Sequence, residues 1–308
     1  MASAAADSTS DRSPGRVLVV GATGFLGGQV VDQLLSRGKS VRALVRPSSD
    51  ATALESKGVE IARGDMLDLD SLVEAMTGVD AVISTAAGYT KRNKNATAID
   101  TTGNANLAIA AERARVRRFV LTSILTSDQT PQVSHFWHKK LAEDALERND
   151  VPFVALRPGA FLDQVTQMSG DPFEKKRLIS FGTKTVPQTF VLTPDLAALL
   201  AAAVDADVRP GERIDIGWTR PVSMQEIADI AARRVGAKIR VRAIPVRLLR
   251  AITAVIGVAV PGLKDMGAMF SWIETGRYVA DVSRQEEVFG PAPTPEDAVA
   301  RFAAQLGH

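Results

Sequence analysis

The chain has 308 residues, 45% hydrophobic and 23% charged, and its 37 basic and 35 acidic side chains leave a net charge of +2. That composition fits one large α/β unit or a core domain with a smaller lobe, and it gives no electrostatic reason to expect nucleic acid as a partner. With no cysteine and only three histidines, disulfides and thiolate nucleophiles are excluded and no metal site is expected.

Residues 1–14 are small and polar, without the basic segment and apolar run of a signal peptide. They read as a disordered tail, and a cytoplasmic protein is expected. "RVLVV" (16–20) is the first strand, and Leu26, Val30, Val31, Leu34 and Leu35 then recur at helical spacing until Gly38 ends the helix. "SVRALV" (40–45) and "VEIAR" (59–63) are the next strands. Asp68 caps a helix through Met76, and "DAVIST" (80–85) is the fourth strand. A long helix over about 95–114 leads to "RRFVLTS" (117–123), a second helix runs from 134 to about 149, and "PFVALRP" (152–158) is the sixth strand. Strands alternating with helices of this length predict right-handed crossovers and a parallel sheet.

Beyond residue 160 the pattern loosens. "DPFEKKRLISFGTKTVPQTF" reads as loop, and 193–207 as a helix with Thr193 at its N-cap and Pro194 in its first turn. "ERIDIG" (212–217) is a strand, and 223–236 is a helix opened by a capping box of Ser223 and Glu226. The apolar stretch 248–263 is broken by Arg250 and Pro261 and falls short of the roughly 20 residues that span a bilayer. It reads as a buried or lid helix, so no integral membrane segment is expected. The basic clusters at 91–94, 113–118 and 174–177 are short and scattered, as solvated loops and helix ends are. The resulting division is a core over 15–165, to which 185–220 returns, and a lobe over 166–308.

"GATGFLG" places Gly21, Gly24 and Gly27 three apart, between a strand and a helix. Glycine lets backbone approach a pyrophosphate closely, and a helix start offers unpaired N–H groups and partial positive charge. The loop from Gly21 through Thr23, Gly24, Phe25, Leu26 and Gly27 is therefore the expected phosphate cradle. After the second strand, where an acid would bind a ribose 2′-hydroxyl, the sequence has Arg46. A guanidinium suits a 2′-phosphate, so the expected cofactor is NADP(H).

"VLVVGATGFLG", "VRALVRP", "GDMLD", "LTS" and "LAEDALERNDVPFVALRPGAF" together resemble the short-chain dehydrogenase/reductase superfamily, and within it the atypical, NmrA-like branch. The resemblance covers residues 16–308. "RPVSMQEIADIAARRVGAKIRVRAIPVRLLRA" is similar to the substrate lobe of its longer members. It implies an α/β fold, a doubly wound parallel (Rossmann) sheet with a smaller, mostly helical C-terminal substrate lobe. It also implies that Asp65, with Met66 beside it, contacts the adenine, and that Ala86, Ala87 and Gly88 flank the nicotinamide ribose.

The superfamily's catalytic helix bears Tyr-x-x-x-Lys, with a serine at the end of the fifth strand. Here Lys139 falls on the lysine and Ser123 on the serine, but His135 stands where the tyrosine would be. Residues four apart share a helix face, so His135 and Lys139 point together toward the cofactor side. Histidine can donate a proton near neutral pH without a lysine's help, although a charged Lys139 with no carboxylate nearby would oppose its protonation. The substitution therefore changes the proton donor or abolishes the step. Lys139 pairing with Glu143 on the helix surface is the plainer alternative. Tyr89, just after the nicotinamide-ribose segment, is a second candidate donor, and Phe161 a candidate substrate contact.

The expected function is an NADP(H)-dependent oxidoreductase reducing a small, apolar, carbonyl-type molecule. A non-catalytic NADP(H)-binding regulator or scaffold is the alternative, and a sugar-nucleotide epimerase is disfavoured by the missing tyrosine. A homo-oligomer stays open.

Overall fold

The computed structural model describes residues 15–88, 96–164, 170–248 and 261–308. The tail 1–14, Tyr89 and most of the apolar stretch 248–263 lie outside the described residues.

The chain begins with β1 (Arg16–Val20), α1 (Phe25–Ser36), β2 (Ser40–Val45), a short α2 (Thr52–Glu55), β3 (Glu60–Arg63), α3 (Leu69–Met76) and β4 (Ala81–Ser84). Next come α4 (Ala96–Ala98), a π turn (Ile99–Gly103) and α5 (Asn104–Arg113). They are followed by β5 (Arg118–Thr122), α6 (Ser134–Arg148), β6 (Phe153–Pro158), β7 (Ala160–Phe161), β8 (Arg177–Phe181) and β9 (Phe190–Val191). After the helix Thr193–Ala202 come β10 (Glu212–Ile216), the helix Met224–Val235 and β11 (Arg240–Ile244). Three helices end the chain: Pro261–Ile273, Ser283–Phe289 and Pro295–Gln305.

Seven strands form one sheet in the order β10-β6-β5-β4-β1-β2-β3, with every neighbour parallel. Such a sheet is covered on both faces, so its central strands β1, β4, β5 and β6 are largely apolar, while the edge strands β3 and β10 carry charged residues. Val17 and Val19 pack with α1 and the 193–202 helix on one side; Leu18 and Val20 pack with α3, α5 and α6 on the other. Crossovers run outward from β1 in both directions, which leaves a crevice beyond the carboxyl ends of β1 and β4. The described candidate residues from Gly21 to Gly88, and Ser123, follow the carboxyl ends of strands on that edge.

The segment read as loop contains structure. "RLISF" is β8, and it pairs in parallel with β11 while Leu178 and Ser180 turn inward. The 193–202 helix also begins differently from its expected form. Leu192 is its N-cap, and Thr193, as the first helical residue, donates its N–H to the Asp163 carboxylate at 3.2 Å. The carboxylate supplies the cap that the threonine hydroxyl was expected to give. Among the described residues no helix is long and apolar enough to cross a membrane.

Candidate functional site

The glycines at the end of β1 serve two purposes. Gly21 has φ +89°, and a Cβ there would lie 2.8 Å from Thr85 Oγ1. A Cβ on Gly27 would lie 2.0 Å from the Gly21 carbonyl oxygen. Both positions are closed to side chains because the loop is clamped between α1 and the end of β4. Gly24 differs from both: its φ of −83° and ψ of 166° suit any residue. A Cβ there meets only the Gly21 carbonyl, at 3.2 Å, and otherwise projects into the open mouth before α1. The N–H groups of Phe25, Leu26 and Gly27 have no acceptor within the helix. No side chain caps α1 and no acid occupies its first turn. By contrast, Asp68 caps α3 and Asp70 sits in that helix's first turn. The mouth of α1 thus fits an anion, and a Cβ on Gly24 would fill it.

Arg46 follows β2 and is exposed. Its turn is closed by Ser49 N–H donating to the Arg46 carbonyl at 2.9 Å. Arg63, paired with Val45 in the β2–β3 register, donates from Nη1 to the carbonyls of Arg46 at 3.2 Å and Ser49 at 2.7 Å. Arg63 was not anticipated; its place at the end of the neighbouring strand was the available signal. The Asp65 carboxylate accepts from its own turn, from Leu67 N–H at 2.9 Å. Met66 is buried, and its carbonyl accepts from Asn106 Nδ2 at 3.0 Å.

Beyond β4, the structure brings several expected residues together. Lys139 Nζ donates to the Ala86 carbonyl at 3.0 Å, next to exposed Ala87. Gly88 N–H donates to Asp100 Oδ1 at 2.6 Å. Asp100 is buried in the π turn, and Asn104 Nδ2 donates to its carbonyl at 2.9 Å. Burial lowers the pKa of the Lys139 ammonium, against the pull of the Asp100 and Glu143 carboxylates. Asp100 and Asn104 were missed. Their signal was polar side chains four apart within "AIDTTGNANL", on the face of a helix that packs inward.

Ser123 is not part of this cluster. It is buried, and its hydroxyl donates to Glu143 Oε1 at 2.5 Å. Glu143 is 1% exposed and also accepts from Arg157 Nη2 at 2.6 Å and Arg213 Nε at 2.9 Å. Arg157 Nη1 reaches Asp128 at 2.9 Å. Burial works to lower the pKa of the Arg157 guanidinium, but its carboxylate partners outweigh that and raise it. The alternative of a surface pair between Lys139 and Glu143 is not what the structure shows: the glutamate turns into a buried charge network, and the lysine turns to the β4 edge. A carboxylate so enclosed needs every donor within reach, and the Ser123 hydroxyl is one of them.

His135 has a carboxylate beside it, contrary to expectation. Asp265, on the Pro261–Ile273 helix, contacts His135 Nδ1 and accepts from the N–H groups of Ser134 at 2.6 Å and His135 at 3.3 Å. Burial would raise the Asp265 pKa, but the imidazole and the two N–H groups hold it below the usual carboxylate range. Phe161 is half-buried on β7 and packs against the core under α1. Tyr89 lies outside the described residues. Among the described residues no group of three or more His, Asp or Glu side chains could hold a metal ion.

Comparison with known proteins bears on this arrangement. The model of the NmrA-like family matches residues 13–290. The photosystem II assembly factor Ycf39 of Synechocystis is 27% identical over 235 residues, covering 76% of this chain and 72% of that protein. Citrobacter triphenylmethane reductase, solved with NADP(H), superposes with a TM-score of 0.76 at 22% identity, over 93% of this chain and 99% of that one. The Escherichia coli NADPH-dependent quinone oxidoreductase QOR2, solved with NADPH, gives 0.75 at 19% identity, over 93% and 99%. At such identities the two structures establish a shared fold.

Proposed function

The chain belongs to the NmrA-like family, and on that premise we propose that it is an NADP(H)-dependent reductase of a small, apolar, carbonyl-type substrate. The observation that carries this reading is a convergence at one sheet edge. An acid-free helix start, an exposed arginine and a half-buried lysine follow β1, follow β2 and meet the end of β4.

The N–H groups opening α1 would hold the pyrophosphate. Arg46 would pair with the 2′-phosphate, with Arg63 bracing its turn from behind. Asp65 and Met66 would border the adenine. Lys139 would hold the nicotinamide ribose beside Ala86, Ala87 and Gly88, its charge sustained by Asp100 and Glu143. When bound, the nicotinamide supplies the hydride. The chain's own part is to deliver a proton to the substrate oxygen, and His135 is the group assigned to it.

A second reading, an NADP(H)-binding assembly or regulatory protein, is favoured by the capture of the Ser123 hydroxyl by Glu143, which leaves the superfamily's serine unable to polarise a carbonyl. The relative named as an assembly factor is consistent with it. Both readings need NADP(H). Fluorescence titration of wild type and Arg46→Ala with NADPH and NADH tests that shared base. Wild type is expected to prefer NADPH by roughly 10- to 100-fold, corresponding to about 1.5–3 kcal/mol for a charge-assisted contact, and the variant to lose that preference. Equal affinities in wild type would contradict the assignment.

A further inference from the structure

Resting on the reading of His135 as proton donor, we propose that Asp265 is its positioning residue. In this inference the carboxylate of the C-terminal lobe sets the tautomer and direction of the imidazole, so the donor is complete only when the lobe is docked.

The contact joins residues 130 apart in sequence, and both are largely shielded, with side-chain exposures of 16% for His135 and 8% for Asp265. An ionised carboxylate only accepts hydrogen bonds, so the imidazole nitrogen facing it, Nδ1, must carry hydrogen. Nε2 is then the atom whose proton is given up when the ring passes from cation to neutral. The proton leaves Nε2 for the substrate oxygen, the ring returns to its Nδ1–H tautomer, and solvent restores the proton.

The same carboxylate holds the ring's own backbone. By accepting from Ser134 and His135 N–H groups it caps α6, whose N-cap residue, Val133, has no side-chain acceptor. A second contact from the same lobe helix fixes the register. Trp272 Nε1 donates to Thr126 Oγ1 at 2.9 Å, and Thr126 sits at φ +59° in the loop after β5. Trp272, Leu125, Val133, Phe136 and Tyr278 form one buried cluster. The lobe helix thus holds both ends of the segment from Leu125 to His135.

A carboxylate at a helix start stabilises the helix whatever its neighbour, so capping alone must be separated from positioning. Asp265→Asn does this, because its amide oxygen still accepts from Ser134 N–H while the charge is lost. In full-length protein carrying 15N-labelled histidine, the wild-type His135 ring is expected in the Nδ1–H tautomer at alkaline pH, and in Asp265→Asn as a tautomer mixture. Turnover with NADPH should fall roughly 10- to 1,000-fold in the variant, while NADPH affinity stays within about twofold. An Nε2–H tautomer in wild type, or unchanged turnover in Asp265→Asn, overturns the inference. The wild-type tautomer requires neither substrate nor a folded variant, so it decides Asp265's orienting role by itself. If His135→Phe keeps full turnover, the proton-donor reading fails, and the catalytic part of this inference fails with it.

Discussion

Gly24 and Gly27 lie three residues apart in one loop, and the structure gives them opposite sensitivities. A Cβ on Gly27 would overlap the Gly21 carbonyl at 2.0 Å, so Gly27→Ala must displace α1 from the end of β1. A loss of about 3 kcal/mol is expected in denaturant unfolding, at the upper end for overpacking. Gly24→Val meets no such barrier, since its backbone is extended. Its melting temperature should stay near wild type while NADPH affinity falls at least roughly tenfold, because the side chain would occupy the mouth of α1. Normal NADPH binding by Gly24→Val would mean that the loop is not the phosphate cradle. Glu143 offers a further residue-level test. Glu143→Ala leaves Arg157 and Arg213 without their shared carboxylate, and urea unfolding should show a loss of about 3–5 kcal/mol. A loss below about 1 kcal/mol would indicate that water replaces the carboxylate. The three-glycine spacing was readable from the sequence, but the differing roles were not, because they depend on how closely β4 approaches. The network around Glu143 was hidden for a similar reason. Four residues after Lys139 it has the spacing of a surface pair, and the arginines that enclose it come from strands β6 and β10.

The strands legible in the sequence are those of the central parallel sheet. β1 through β6 are short runs bounded by turn residues, and each was found within a residue or two of its observed ends. β8 escaped because its five residues sit among charges and its partner β11 lies some sixty residues on. The π turn before α5 escaped because helical spacing does not reveal one extra residue in a turn, although it is this turn that points Asp100 at Gly88. The docking of the Pro261–Ile273 helix on α6 was not readable at all, since nothing local pairs Asp265 with Ser134 and His135. That contact has a pH signature. The folded pKa of Asp265 is depressed, so its contribution is fully present above the unfolded carboxylate value of about 3.9 and is lost as pH falls through the lower folded value. Acid titration from pH 6 downward, followed through tryptophan fluorescence, should show loosening around Trp272 that begins below about pH 4. Asp265→Asn should flatten that step. Identical acid profiles for the two proteins would show that the carboxylate does not hold the lobe.

At the scale of the whole molecule, the sheet order explains why residues distant in sequence share one edge. Crossovers diverge from β1, and the loops after β1, β2 and β4 open on the same edge. The Pro261–Ile273 helix then closes over the start of α6 from the other side. The order of motifs along the chain was enough to anticipate this edge and the family, because a parallel sheet with right-handed crossovers allows few arrangements. It could not supply the chemistry, since a histidine in place of a tyrosine is compatible with a changed donor or a lost one. The direct test is NADPH oxidation followed by absorbance across quinones, ketones, enones and imines, with wild type and His135→Phe compared side by side. Substrate-dependent oxidation by wild type is expected, with a roughly 10²- to 10⁴-fold lower turnover in His135→Phe at nearly unchanged NADPH affinity. Tight NADPH binding with no oxidation by any of these acceptors would contradict the reductase reading.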